Sequence, residues 1–207
     1  MADRGGSFVE TSGSGSASSP PDVAVVRLGL TCRGETVAAA LSDLASTSAA
    51  LLDALAAHDV AAAHVQSTRA SIDQEWDRDG RDVVGFLANQ TFTVRLDDVA
   101  AVGAVVGGAA EAGGDAFRMH GLSWMFADAE PSLRLARETA FRDAETKARQ
   151  YAELADRSLA EVLWVRESDG DFAPRPMRAF AAKAVSLEVA PGESEITATV
   201  TVRWRLV

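Results

Sequence analysis

The chain has 207 residues and 47% of them are hydrophobic, enough to bury a sizeable core in one generous domain or two small lobes, so wholesale disorder is excluded. The 20 Lys and Arg against 30 Asp and Glu leave a net charge of −10, which opposes the phosphate neutralisation behind nucleic-acid binding and gives no attraction to anionic lipid. The single cysteine, Cys32, can form no intrachain disulfide and has no second thiolate with which to hold a metal.

Residues 1–19 read MADRGGSFVETSGSGSASS, polar and small throughout, without the apolar run of an export signal, so a cytoplasmic location is expected. The same residues are expected to be a flexible or edge-strand segment, because closely spaced glycines such as Gly13 and Gly15 mark bulges and bends. No transmembrane segment is expected: the Ala-rich run from Leu51 to Val65 is interrupted by Asp53, His58, Asp59 and His64.

In Asp22 to Cys32, the residues Ala24, Val26, Leu28, Leu30 and Cys32 alternate, which predicts a strand with the thiol in the core. Over Thr36 to Ala57 the period changes, and Val37, Leu41, Leu44, Ser48, Leu51 and Leu55 line one side of a helix. Strands follow over His64 to Trp76 and Asp82 to Leu96, joined by a hairpin in which Asp79-Gly80 supplies positive φ. Asp97 is placed to cap a helix over 98–112 that Gly113-Gly114 ends. Ala116 to Ala127 reads as a strand. Pro131 opens a helix to about Arg157 with the stripe Leu133, Ala136, Ala140, Ala144, Ala148, Tyr151 and Ala155. Leu159 to Arg166 is a short strand, and Ser194 to Leu206 alternates cleanly through Ile196, Ala198, Val200, Val202, Trp204 and Leu206.

By type, 22–96 is strand, helix, strand, strand, and 116–207 repeats that order after the connecting helix. Each helix must cover one apolar face of an antiparallel sheet, so the expected class is α+β with two pseudo-duplicated βαββ halves inside a domain spanning 20–207.

Gly13-Ser14-Gly15 is followed by Pro20-Pro21-Asp22-Val23-Ala24; Gly85, Ala88 and Gln90 lead to Val94 and then Leu96-Asp97-Asp98-Val99; Asp143-Ala144 stands with Lys147-Ala148 in the long helix; and Pro191-Gly192-Glu193 precedes the final strand. In this order these pieces resemble the SIMPL-domain family of bacterial proteins. The resemblance implies an α+β fold, frequent export to the periplasm or envelope, self-association and a connection with oxidative-stress defence, and it implies no agreed catalytic residues. The chain departs from the pattern in that residues 1–19 do not read as an export leader, the periplasm or envelope being the expected location if a leader was removed, and in carrying Asp156-Arg157-Ser158 where a glycine often ends the long helix.

Chemistry-bearing motifs are sparse. Gly13-Ser14-Gly15 lacks the third glycine and following helix of a dinucleotide loop. His58 and His64 lie six apart across a helix end, and His120 stands alone, which is no zinc spacing. No serine sits in a Gly-x-Ser-x-Gly elbow. The charges of the long helix fall into i,i+4 pairs, among them Glu138–Arg142, Asp143–Lys147 and Glu145–Arg149, as on a solvated face. The segment Ser168 to Lys183 differs: Phe172, Arg175, Met177, Arg178 and Phe180 on a long connection suit a protein contact, as do Phe8 and Val9 on an adaptable N-terminal edge.

No catalytic, cofactor-binding or metal residue is therefore expected. The leading expectation is a non-enzymatic protein that self-assembles as a homo-oligomer or binds a protein partner. The competing one is a small-ligand binder or enzyme with a pocket between the halves, walled by His120 and a carboxylate.

Overall fold

A computed structural model describes residues 7–168, 175–176 and 191–207. The fold is α+β, with two antiparallel sheets and helices packed on them, and the chain divides into two compact units.

The first unit joins the two ends of the sequence. Strands β1 (Phe8–Ser19), β6 (Leu159–Glu167) and β8 (Ser194–Leu206) form a sheet in the order β1-β8-β6, and the two-residue strand β7 (Arg175–Pro176) pairs with the start of β8. Register runs from Phe8 opposite Arg205 to Ser19 opposite Ser194. Helix α3 (Glu130–Leu154) lies over β1 and β8 and barely touches β6. Its buried side is almost all alanine: Ala136, Ala140, Ala144, Ala148 and Ala152, with Leu133. Beneath it Thr11, Gly13 and Gly15 are buried on β1.

These small faces let two backbones meet. A Cβ on Gly13 would stand 2.1 Å from the Ala140 carbonyl oxygen and 2.4 Å from the Ala144 nitrogen, and one on Gly15 would stand 2.3 Å from the Ala136 oxygen. The buried Thr11 hydroxyl donates to the Ala144 carbonyl at 2.7 Å. Gly13 and Gly15 are thus a seat for a helix, within a strand that stays regularly paired along its length.

The second unit holds the elements from Asp22 to Ala127. Strands β2 (Val23–Gly34), β3 (Val65–Trp76), β4 (Val83–Leu96) and β5 (Phe117–Met125) take the order β3-β4-β2-β5. Helices α1 (Val37–Ala57) and α2 (Val102–Gly113) pack on one face. The core comprises Val26, Leu28, Leu30 and Cys32 of β2, Phe92 and Val94 of β4, Leu51 and Leu55 of α1, and Val102, Val105 and Ala109 of α2. By length and composition α1 would be apolar enough to cross a membrane, yet here Ala40, Leu44, Ser48, Leu51 and Leu55 are buried against the sheet. Ser48 donates to Gln90 Oε1 at 2.9 Å, and Gln90 Nε2 donates to Ser67 at 3.2 Å, which fixes the helix on β4 and β3.

Each unit contains a βαββ motif, but the boundaries differ from those expected. The strand at 117–125 does not head a second half: it pairs with β2 in the second unit. Its expected place is taken by β1, so the first unit reads β1-α3-β6-β8 and the second is inserted after its first strand. Strand pairing is non-local, and the order of element types along the chain does not carry it. Four residues of the expected helix stripes are exposed, Val37, Leu41, Tyr151 and Ala155, while Ala40 and Ala152 are buried. Asp98, not Asp97, caps the turn before α2, accepting from Ala100 N–H at 2.9 Å, and Asp97 instead pairs with Arg95 at 2.8 Å.

Helices α1 and α3 end alike. Val60 N–H donates to the Leu55 carbonyl and Asp59 N–H to that of Ala56; Arg157 N–H donates to Ala152 and Asp156 N–H to Glu153. These paired bonds require a left-handed residue, and Asp59 (φ 60°) and Asp156 (φ 53°) supply it. Glycine carries no steric penalty there. Asp156→Gly is expected to stabilise the protein by about 0.5–1 kcal/mol, net of glycine's larger unfolded-state entropy. Thermal melting checks this, with a rise of about 1–4 °C expected.

Candidate functional site

Of the expected contact residues, Phe8 and Val9 lie on β1, and Arg175 lies in β7 opposite Glu195. Phe172, Met177, Arg178 and Phe180 lie outside the described residues. Phe8 is half exposed on the sheet face turned away from α3, with the Arg203 guanidinium 4.3 Å from its ring centre. Arg203 also lies 5.2 Å from the Trp164 ring and donates to Glu10 at 2.6 and 2.9 Å. The phenyl ring is therefore engaged in a row of stacked groups across β1, β8 and β6.

The outer edge of β1 is not open along its length. Ser7 C=O bonds β8 through Leu206 N–H, so alternation directs the backbone groups of even-numbered residues outward. Two of these are taken by α3: Asp143 Oδ2 accepts Ser14 N–H at 2.9 Å, and Lys147 Nζ donates to Ser12 C=O at 3.0 Å. The two side chains also bond each other at 2.7 Å. The Lys147 ammonium, then the Ser14 N–H, hold the Asp143 carboxyl below its ordinary value of 3.8. This pair is more than solvated helix support, since it occupies the strand edge expected to recruit a neighbour.

The opposite edge, β6, is different. Val162 (41% exposed) and Val165 (51%) share the face on which Trp204 and Val202 are buried, yet α3 does not extend over them. A groove of about 530 Å³ runs between α3 and β6, with Leu159, Val162 and Trp204 on one side and Phe141 and Ala152 on the other. The rings of Phe141 and Trp204 lie 6.1 Å apart. Arg137 ties the far end of β6 to α3, donating to both Glu167 oxygens at 2.9 and 3.1 Å and to Glu130 at 3.0 Å. The Glu167 carboxylate raises the Arg137 pKa. Among the described residues no strand pairs with the outer edge of β6.

In the second unit, the sheet face away from α1 holds a shallow hollow of about 520 Å³ lined by Arg27, Thr68, Arg69, Thr91, Thr93 and His120. Two β-bulges flank it. Between β2 and β5 the register passes from Arg27 opposite Gly121 to Leu28 opposite Met119, leaving His120 as the extra residue. Between β3 and β4 it passes from Ser67 opposite Phe92 to Arg69 opposite Thr91, leaving Thr68. The His120 ring lies over Gly29, where a Cβ would stand 2.3 Å from Nε2. The expected carboxylate beside His120 is thus replaced by two arginines.

Sequence reasoning passed over Arg27 and Arg69. Arg27 could have been noticed as a cation on the outward phase of an otherwise apolar strand, but nothing local announces the bulges that bring Arg69 and His120 to it. His58 and His64, set apart in the sequence, line one hollow of about 350 Å³ with Asp97. His64 Nδ1 is 3.6 Å from Asp97 Oδ2. Among the described residues no three His, Cys, Asp or Glu side chains converge as a metal site.

An α+β protein of two βαββ motifs, one inserted into the other, is the class these observations define. The family model SIMPL, described as a protein of unknown function (DUF541), matches residues 9–204, and the chain belongs to that family. No curated protein matches it. Two pieces of the sequence on which the resemblance rests, Gly13-Ser14-Gly15 and Asp143-Ala144 with Lys147-Ala148, meet at the contact of β1 with α3.

Proposed function

We propose that this SIMPL protein is a non-enzymatic assembly module that pairs with a second copy of itself through the outer edge of β6. The supporting observation is the contrast between the two edges of the first unit's sheet: Asp143 and Lys147 hold backbone groups of β1, whereas among the described residues β6 has an unpaired outer edge with Val162 and Val165 exposed. An edge strand with free donors, acceptors and uncovered apolar side chains pairs with another chain unless something blocks it. Two copies of β6 meeting antiparallel give a closed two-fold dimer, the commonest symmetric outcome. The non-enzymatic part of the reading rests on how the candidate groups are engaged. Cys32 is buried with its thiol toward Thr47, and the His58, His64 and His120 rings lie against Gly108, Asp97 and Gly29.

Size exclusion with light scattering, over a range of concentrations, tests it. Twice the 21.7 kDa chain mass is expected for the wild type, and the single-chain mass for the double variant Val162→Lys, Val165→Lys, whose exposed positions tolerate the change without unfolding. A monomeric wild type at every concentration, or a lysine variant that stays dimeric, would overturn the reading.

A further inference from the structure

The open face of the β3-β4-β2-β5 sheet carries two kinds of arginine. Toward its ends they are engaged within the chain, Arg33 by Glu75, Arg95 by Asp97 and Arg118 by the Asp115 and Phe117 carbonyls. Between them, Arg27 and Arg69 have no carboxylate within ion-pair distance among the described residues, in a chain with ten more acidic than basic side chains. What sets these two apart is that they line one hollow together with no carboxylate among its lining residues, which leaves room for an external anion.

The backbone builds this arrangement. Arg27 faces Thr93 across one ladder and Arg69 faces Thr91 across the other, so the two arginines flank β4. Their strands lie about 10 Å apart and their positions are offset by about 7 Å along the strands, a span two long side chains close over an anion resting on β4. The half-buried hydroxyls of Thr91 and Thr93 point up between them, and the β2–β5 bulge brings the His120 imidazole to the same hollow. Bulges beside binding sites commonly re-aim a side chain in this way. Gly29 is part of the construction, because any Cβ there would meet the imidazole.

We infer that this hollow binds a phosphate-class oxyanion, either free or as the monoester of a small metabolite. Guanidinium forks match the oxygens of a phosphate, and hydroxyl and imidazole N–H groups supply further donors. A volume of about 520 Å³ suits one small ligand, and the overall charge of −10 disfavours a polyanion. The site lies wholly in the second unit, so it stands or falls independently of pairing through β6.

Titration calorimetry on the full chain at constant ionic strength, with inorganic phosphate and separately glycerol phosphate, is the test. Saturable one-site binding with a Kd of about 1 mM or tighter is expected for at least one of them. Tighter binding of the monoester identifies a metabolite site, and equal or tighter binding of inorganic phosphate a free-anion site. Arg27→Ala and Arg69→Ala, both exposed and so without effect on the melting temperature, should each weaken binding about tenfold or more. Gly29→Ala, which displaces only the exposed imidazole, should weaken it several-fold. No saturable heat with either compound, or binding that persists when both arginines are removed, would overturn the inference.

Discussion

Gly13→Ala is expected to destabilise the protein by about 3 kcal/mol, lowering the melting temperature by about 6–12 °C, although it adds a single methyl group. The methyl has nowhere to go. It would stand 2.1 Å from the Ala140 carbonyl oxygen, 2.4 Å from the Ala144 nitrogen and 2.8 Å from the Ala144 methyl, and two of these are backbone atoms of a helix. A side chain could rotate aside; here α3 must lift from β1 as a body, which also breaks the buried bond from Thr11 to Ala144. Gly15→Ala meets the next turn of the same helix and should act alike. The sign is diagnostic, because alanine for glycine in a merely flexible segment stabilises by about 0.4–1 kcal/mol. Gly107, exposed within α2 with open space around it, is the internal control, and Gly107→Ala should stabilise by about 0.5–1 kcal/mol. Urea unfolding of the variants measures all of these, and a Gly13→Ala protein as stable as the wild type would refute the seat.

Removing the Asp143–Lys147 pair is expected to change the kind of assembly rather than its strength. On the proposed pairing through β6, with β1 held by α3, the sheet of the first unit has one edge to offer and association through it stops at a closed dimer. With β1 released as well, each dimer presents two fresh edges and growth has no end. The double variant Asp143→Ala, Lys147→Ala should therefore show a light-scattering mass that climbs with concentration beyond two chains. Adding Val162→Lys and Val165→Lys should return it to a finite mass. A double variant indistinguishable from the wild type would mean that the pair does not guard the edge. Acid offers a second route. The folded-state pKa of Asp143 is lowered, so its stabilising contribution is complete above the ordinary value of 3.8 and is lost as pH falls through the lower folded value. Wild-type protein should resist this change at mildly acidic pH and begin to resemble the variant only in strong acid.

Much of the fold is legible where a single local signal decides the outcome. The alternation of Ile196 through Trp204 marks β8, and Gly80 at φ 68° closes the hairpin before β4. The illegible parts are those where the partner decides. β1, rich in glycine and serine, has little strand propensity of its own and is a strand because β8 pairs with it and α3 caps it. Along α3 the buried face departs from the expected stripe at Tyr151 and runs through Ala152 instead, because a helix seated on glycine buries its alanines. The anionic site was hidden for a related reason. Arg27, Arg69 and His120 come from three strands and are aligned by two bulges, and a bulge is a property of a pair of strands.

The insertion of one unit within the other sets an order of events during synthesis. β1 leaves the ribosome before β2 to β5, and its partner β8 after them: Ser19 waits for Ser194 and Phe8 for Arg205. At about 5–20 residues per second, that delay is roughly 10–40 s. The sheet of β2, β3, β4 and β5 is built from one contiguous stretch of chain, so it can close while β1 hangs free. A strand of valines in that position would invade the sheet forming beside it. One written largely in serine and glycine is a poor competitor, and acquires its value only when α3 and β8 arrive to receive it.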